Sequence, residues 1–223
     1  MKHNQHKKHK KRPTGNANPT NNTTHISPTG KFSHKQVLII DNYDSFTYNV
    51  VYLLSTLGVK PQIVPNDTPL YCIKKLDFSH LIISPGPSHP LDSGVCLEAI
   101  VTFAPTHKIL GICLGHQCIA QAFGGEVISL PNPTHAKSVR LYFMPNALFE
   151  GIPQGIQVAL YHSLYVSKLG ECEALGYSEN NVLMVLKAKD YDCYGVQFHP
   201  ESILQQKGKR IMKNFLALTK CVM

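Results

Sequence analysis

ILGICLGHQCIAQAFGG, residues 109–125, is the stretch that decides how this chain folds. A short apolar run ends at Cys113, with Gly111 two residues before it and Gly115 two after; a helical pattern follows at once and closes on Gly124 and Gly125. The pattern describes a strand that turns sharply into a helix. A nucleophile at such a bend has a strained backbone, and the bend leaves no room for side chains two positions away. The thiol would also sit at a helix N-terminus, where unpaired N–H groups and the macrodipole favour the thiolate. The motif alone fits a buried structural cysteine between packing glycines equally well.

The flanking sequence supplies the rest of the frame. QVLIID (36–41) reads as a buried strand. DSFTYNVVYLLSTLG (44–58) reads as a helix, with Phe46, Val50, Val51, Leu53, Leu54 and Leu57 on helical spacing. Asp44 or Ser45 is its N-cap and Gly58 its stop. PQIV (61–64), HLIIS (80–84) and KILGIC (108–113) are further strands; helices are expected near 94–103 and at 114–123. This β-α-β-β-α-β-α alternation predicts an α/β fold, an open, mostly parallel sheet with flanking helices. EVISL, SVRLYF, IQVAL, VLMVLKA and CYGVQF make the second half strand-rich, and a helix over 207–219 closes the chain. The boundaries are a tail at 1–35 and one domain at 36–223.

The composition narrows the classes. At 43% hydrophobic residues the chain can bury a sizeable core, and no run approaches the ~18 apolar residues of a membrane helix. The net charge of +8 is local: residues 1–36 hold eight Lys or Arg and no acid, and fourteen basic residues balance fourteen acidic ones thereafter. A nucleic-acid face would need basic residues clustered on the folded domain, which the sequence does not suggest. The tail is low-complexity Lys, His, Asn, Thr and Pro, too polar to offset its ordering entropy, and it lacks the apolar core of a secretory signal. Its His and Lys could hold a metal or polyanion loosely, but a solvated, disordered segment is the better reading. Seven cysteines with no CxxC pair form neither a disulfide framework nor a zinc pattern. They suit a reducing cytoplasm.

A partner for the thiol stands near the C-terminus, in YGVQFHPES. His199 and Glu201 are two apart, so in an extended segment they point the same way, and Pro200 opposes helix formation between them. A carboxylate on one ring nitrogen fixes the tautomer and leaves the other for the thiol. A thiolate attacking an amide also creates an oxyanion, which needs preorganised donors. The N–H of Leu114 is one candidate. Gly86, in the tight loop SPGPSHP (84–90), is the other.

With these residues in place, the chain from Gln36 onward strongly resembles the class I glutamine amidotransferases. The carrying segments are IDNYDSFTYN (40–49), ISPGP (83–87), ILGICLGHQ (109–117), AQAFGG (120–125), YHSL (161–164) and VQFHPESIL (196–204). The cysteine and histidine motifs mark the class. DNYDSFTYN narrows the resemblance to the glutaminase subunits of anthranilate synthase and 4-amino-4-deoxychorismate synthase. It implies a flavodoxin-like fold and hydrolysis of L-glutamine, with Cys113 as nucleophile, His199 as base and then acid, and Glu201 orienting it. Gly86 and Leu114 would form the oxyanion hole; Gly86, Ser88, Gln117, Ser163 and Leu164 would hold glutamine. Ammonia would pass to a separate chorismate-using subunit for tryptophan or folate precursors. That partner, not this subunit, would carry Mg²⁺; no cofactor, nucleic acid or membrane partner is expected here.

The sequence departs from the family pattern at three places: Ser88 where PGPG is common, Ala136 in a loop usually reading HGK, and Leu160 where RYHSL is usual. These bear on glutamine affinity and docking rather than on the triad. A catalytically weak docking subunit of the same synthase is the alternative reading. A thiol hydrolase of a related α/β family would explain the bend but not HPES.

Overall fold

The computed structural model describes residues 35–219 together with Met1 and Phe32, without the side chains of 132–136. The segment read as a tail lies almost wholly outside these residues, as does Cys221. Phe32, inside that segment, is buried against the core.

Strands β1 (Val37–Asp41), β3 (His80–Ile83), β4 (Lys108–Ile112) and β9 (Cys193–Val196) are buried along their length, apart from half-exposed Asp41. Such two-sided burial is what a parallel strand covered by helices requires. Alternation divides their side chains between two apolar clusters. Val37, Ile39 and Ile82 face α1 (Phe46–Ser55) and α5 (Gly208–Ala217), meeting Val50, Leu54, Ile211 and Phe215. Leu38, Ile40 and Leu81 face α3 (Cys96–Phe103) and α4 (Leu114–Ala122), meeting Ala99, Ile100 and Ile119. Each fully buried aliphatic side chain contributes about 1.5–3 kcal/mol, so the two helical layers hold the sheet between them.

The nine described strands form one sheet, in the order β2-β1-β3-β4-β9-β8-β7-β5-β6. From β2 (Gln62–Pro65) to β9 every pairing is parallel. From β9 onward, through β8 (Leu183–Ala188), β7 (Cys172–Ser178), β5 (Glu126–Phe143) and β6 (Ile156–Lys168), every pairing is antiparallel. The whole sheet is thus mixed, and "mostly parallel" describes only its first half. EVISL and SVRLYF are one long strand with register shifts, not two. β7 and the single-turn α2 (Leu70–Ile73) carry no clear periodicity in the sequence. In β7 a register shift around Gly176 breaks the alternation that would have marked it.

Local chemistry explains the ends of α1. The Asp44 carboxylate accepts from the Phe46 N–H at 2.7 Å, whereas Ser45 makes no side-chain cap. At the other end, Gly58 has φ +80°, Val59 N–H reaches the Leu54 carbonyl and Gly58 N–H that of Ser55. That is the Schellman stop, which suits glycine. No helix among the described residues is long and apolar enough to cross a membrane.

The order β2-β1-β3 makes successive crossovers diverge from β1, and such a switch point opens a crevice at the carboxyl ends of the strands. Asn42, just past β1, ties its two walls together. Its backbone N–H donates to Ser84 Oγ at 2.9 Å and its Nδ2 to the Ser84 carbonyl at 3.0 Å. The bend after β4 packs into this region through bare backbone: a Cβ on Gly115 would stand 2.3 Å from the Ile83 carbonyl oxygen, and one on Gly111 2.2 Å from the oxygen of Gly115. Gly115→Ala therefore forces β3 and α4 apart. It is expected to lower stability by about 3 kcal/mol, roughly 6–12 °C in Tm; an unchanged thermal unfolding midpoint would contradict this packing.

Candidate active site

Cys113 stands between β4 and α4 with φ 54° and ψ −100°. Non-glycine residues hold such a conformation only when their surroundings impose it, at a cost of order 1–3 kcal/mol. Here the surroundings are bonded backbone: Cys113 N–H donates to the Val196 carbonyl at 2.9 Å, and its own carbonyl accepts from Gln117 N–H at 3.2 Å. The thiol reaches a cleft of about 290 Å³, a volume for a small metabolite, lined among others by Phe46, Gly86, Ser88, Gln117, Tyr161, Ser163, Leu164 and His199. Burial pushes Cys172 up to about 12 and Cys118 and Cys193 well above the usual range.

His199 follows β9, three residues beyond the end of the strand. Its backbone N–H donates to the Ala159 carbonyl of β6 at 3.1 Å, which fixes the ring over the bend. Nδ1 lies 2.7 Å from Glu201 Oε1, and both side chains are almost wholly buried. Burial alone would lower the imidazole pKa; the nearby Cys113 thiol and the hydrogen-bonded Glu201 carboxylate outweigh it and raise the value to about 10. His199 is therefore an imidazolium at neutral pH. The ring is packed by Phe46 at 4.8 Å and, edge to face, by Tyr161 at 5.2 Å between centroids. The helical spacing had placed Phe46 on the apolar face of α1, but the structure turns it to the site.

Two N–H groups border the cleft beside the sulfur. Leu114 is the first residue of α4, so its N–H has no partner within the helix. Among the described residues the Gly86 N–H makes no hydrogen bond. Glycine is required there because a Cβ would meet Asn42 Cβ and Leu114 Cδ2, each at 2.5 Å. Across the cleft, the β5–β6 register jumps between Ser129–Leu164 and Thr134–His162, and Ser163 falls in the gap. Such an irregularity frees backbone groups for a ligand. The Leu164 carbonyl is already engaged, accepting from His162 Nδ1 at 2.8 Å and Gln117 Nε2 at 3.1 Å.

The three departures from the family pattern divide. Ser88 lines the cleft with φ 68°, a conformation that favours glycine. Leu160 is buried in the apolar core and is not among the residues that line the cleft. The Ala136 side chain lies outside the described residues. His162 and Gln197 carried no separate signal in the sequence, since both sit inside motifs read for their neighbours. Burial, with His199 nearby, lowers the His162 pKa, and burial drives His116 to about 3, so both are neutral at pH 7. Among the described residues no group of three or more His, Cys, Asp or Glu could hold a metal ion.

Comparison with known proteins is consistent with this geometry. The family model for class-I glutamine amidotransferases matches residues 38–218. Anthranilate synthase component 2 of Thermus thermophilus is 40% identical over 186 residues, covering 81% of this chain and 91% of that protein. Aminodeoxychorismate synthase of Streptomyces griseus is 42% identical over 191 residues, 83% of this chain but only 26% of that longer protein. Among solved structures, a Thermoplasma acidophilum protein matches with TM-score 0.73 and 29% identity over 82% of this chain and 92% of that one. A Thermotoga maritima glutamine amidotransferase shares the fold, with TM-score 0.61 and 18% identity over 82% of this chain and 81% of its own.

Two outcomes are expected. The raised His199 pKa means the folded state holds a proton that the unfolded state releases near pH 6.5. Its contribution is complete below that pH and is lost as pH rises through about 10. Urea unfolding should therefore show wild-type stability falling more steeply over that window than His199→Asn; parallel curves would refute the linkage. Separately, Ser88→Gly should relieve the left-handed backbone and raise stability by about 0.5–1 kcal/mol, net of the greater entropy of an unfolded glycine, read as a slightly higher Tm.

Proposed function

The chain belongs to the class-I glutamine amidotransferases, and from that membership we propose that it is the glutaminase subunit of a chorismate-using synthase. The observation that carries the proposal is the convergence of a strained, helix-capping Cys113 with the buried His199–Glu201 pair at one small cleft. Relatives named anthranilate synthase component 2 and aminodeoxychorismate synthase supply the partner class. That partner would be a synthase subunit that aminates chorismate, and any Mg²⁺ would belong to it.

On this reading Cys113 Sγ attacks the side-chain carbonyl carbon of L-glutamine, and the oxygen becomes an anion facing the N–H groups of Gly86 and Leu114. His199, already protonated and steadied by Glu201, gives its proton to the departing nitrogen. The C–N bond breaks, ammonia leaves, and a thioester remains. Neutral His199 then takes a proton from water, whose oxygen attacks the thioester; glutamate leaves and the thiolate–imidazolium pair is restored. Gln117, Ser88 and the Ser163–Leu164 backbone would hold the amino-acid end of the substrate. The neutral state of His162 keeps a second positive charge away from His199.

The test is glutamate release by the purified chain, alone and with an anthranilate or aminodeoxychorismate synthase subunit. Cys113→Ser should lower kcat by at least about a thousandfold, while amination by the partner with added ammonium salts continues. Silence of the wild-type chain in both settings would overturn the proposal and leave a docking subunit.

A further inference from the structure

The Leu164 carbonyl fixes the direction of a chain of amides that ends on the reacting sulfur. A backbone oxygen can only accept, so both groups bonded to it must donate: His162 through Nδ1 and Gln117 through Nε2. That settles the orientation of the Gln117 amide, which distances alone leave ambiguous. The same Nε2 lies 3.1 Å from Gln197 Oε1. The acceptor of Gln197 therefore faces Gln117, and its own NH₂ is turned the other way, 3.7 Å from Cys113 Sγ. Reversing either glutamine would set like against like in a cluster where Gln197 is fully buried and Gln117 nearly so. Neither can flip without stranding a buried polar group.

We propose that Gln197 is a direct N–H donor to the Cys113 thiolate, its polarity set by the Leu164 carbonyl through Gln117. The sulfur is then held from two sides. His199 approaches from the C-terminal HPES segment, and Gln197 comes from the residue that follows β9. The two are separated only by Phe198, which is fully buried in the core and anchors the segment between them. An N–H aimed at sulfur stabilises the anion more than the thiol, because a hydrogen bond to an ionised acceptor is about twice as strong as one to a neutral one. It also resists rotation of the side chain about its strained backbone.

This inference rests on Cys113 being the nucleophile, and its test separates the two ideas. In the full-length protein, alkylation of Cys113 by iodoacetamide is followed against pH by mass spectrometry of its peptide, with the half-buried Cys72 as internal reference. Loss of the donor disfavours the thiolate, so the profile must move to higher pH. Gln197→Met should slow alkylation about tenfold at pH 7. Gln197→Glu keeps an acceptor for Gln117 but turns a carboxylate oxygen to the sulfur, and should shift the profile further. A merely structural residue would change the melting temperature and leave the profile in place. If either variant, folded by its thermal melt, alkylates with the wild-type profile, the inference falls. If wild-type Cys113 reacts no faster than Cys72, it is the nucleophile reading that falls instead.

Discussion

The contact on which the rest of this structure depends is one between backbones: α4 begins where Gly115 lies against the Ile83 carbonyl of β3. Only a residue without Cβ can come so close. Because it does, the chain must reverse within two residues of β4, and Cys113 has no choice but the left-handed region. The bend places the thiol at the crevice that β1 and β3 open, beside the loop that Asn42 ties to Ser84. Strain, position and helix terminus follow from a single steric fact.

Electrostatics then divide three histidines in one neighbourhood by their surroundings alone. His116, His162 and His199 are all buried. The first two meet mainly the desolvation that burial brings, and they stay neutral. His199 has a carboxylate at 2.7 Å and a thiol to pair with, and it stays charged. The Glu201 Oε2 atom has no hydrogen-bond partner and is shielded from solvent. A buried carboxylate of that kind is costly unless a positive group stands beside it, and the His199 ring occupies that place at 2.7 Å. The pair is thus mutually dependent: each makes the charge of the other sustainable.

Much of the site could be read along the chain because its parts are local. Gly111, Cys113 and Gly115 act over four residues, and His199 with Glu201 over two, so their spacing carries their geometry. The parallel strands were legible for a related reason: two-sided burial writes itself as an apolar run. The antiparallel half was less so, since the register shifts of β5 and β7 displace the alternation that identifies a strand. Leu160 shows the other limit. It stands one residue before Tyr161, which packs on His199, yet it faces the core because adjacent residues of a strand face opposite ways.

By itself the sequence determined the bend, the identity of the thiol, the imidazole–carboxylate pair and the helix-wrapped parallel strands, since each depends on residues near one another in the chain. Tertiary structure decided what had to be brought from afar. It set Phe46 and Tyr161 around an imidazole more than thirty residues away, placed Gly86 beside Leu114, and joined Leu164, Gln117, Gln197 and Cys113 into one directed line of hydrogen bonds. Spacing along the chain cannot encode such a line, because the direction of each amide depends on a carbonyl contributed by a different strand.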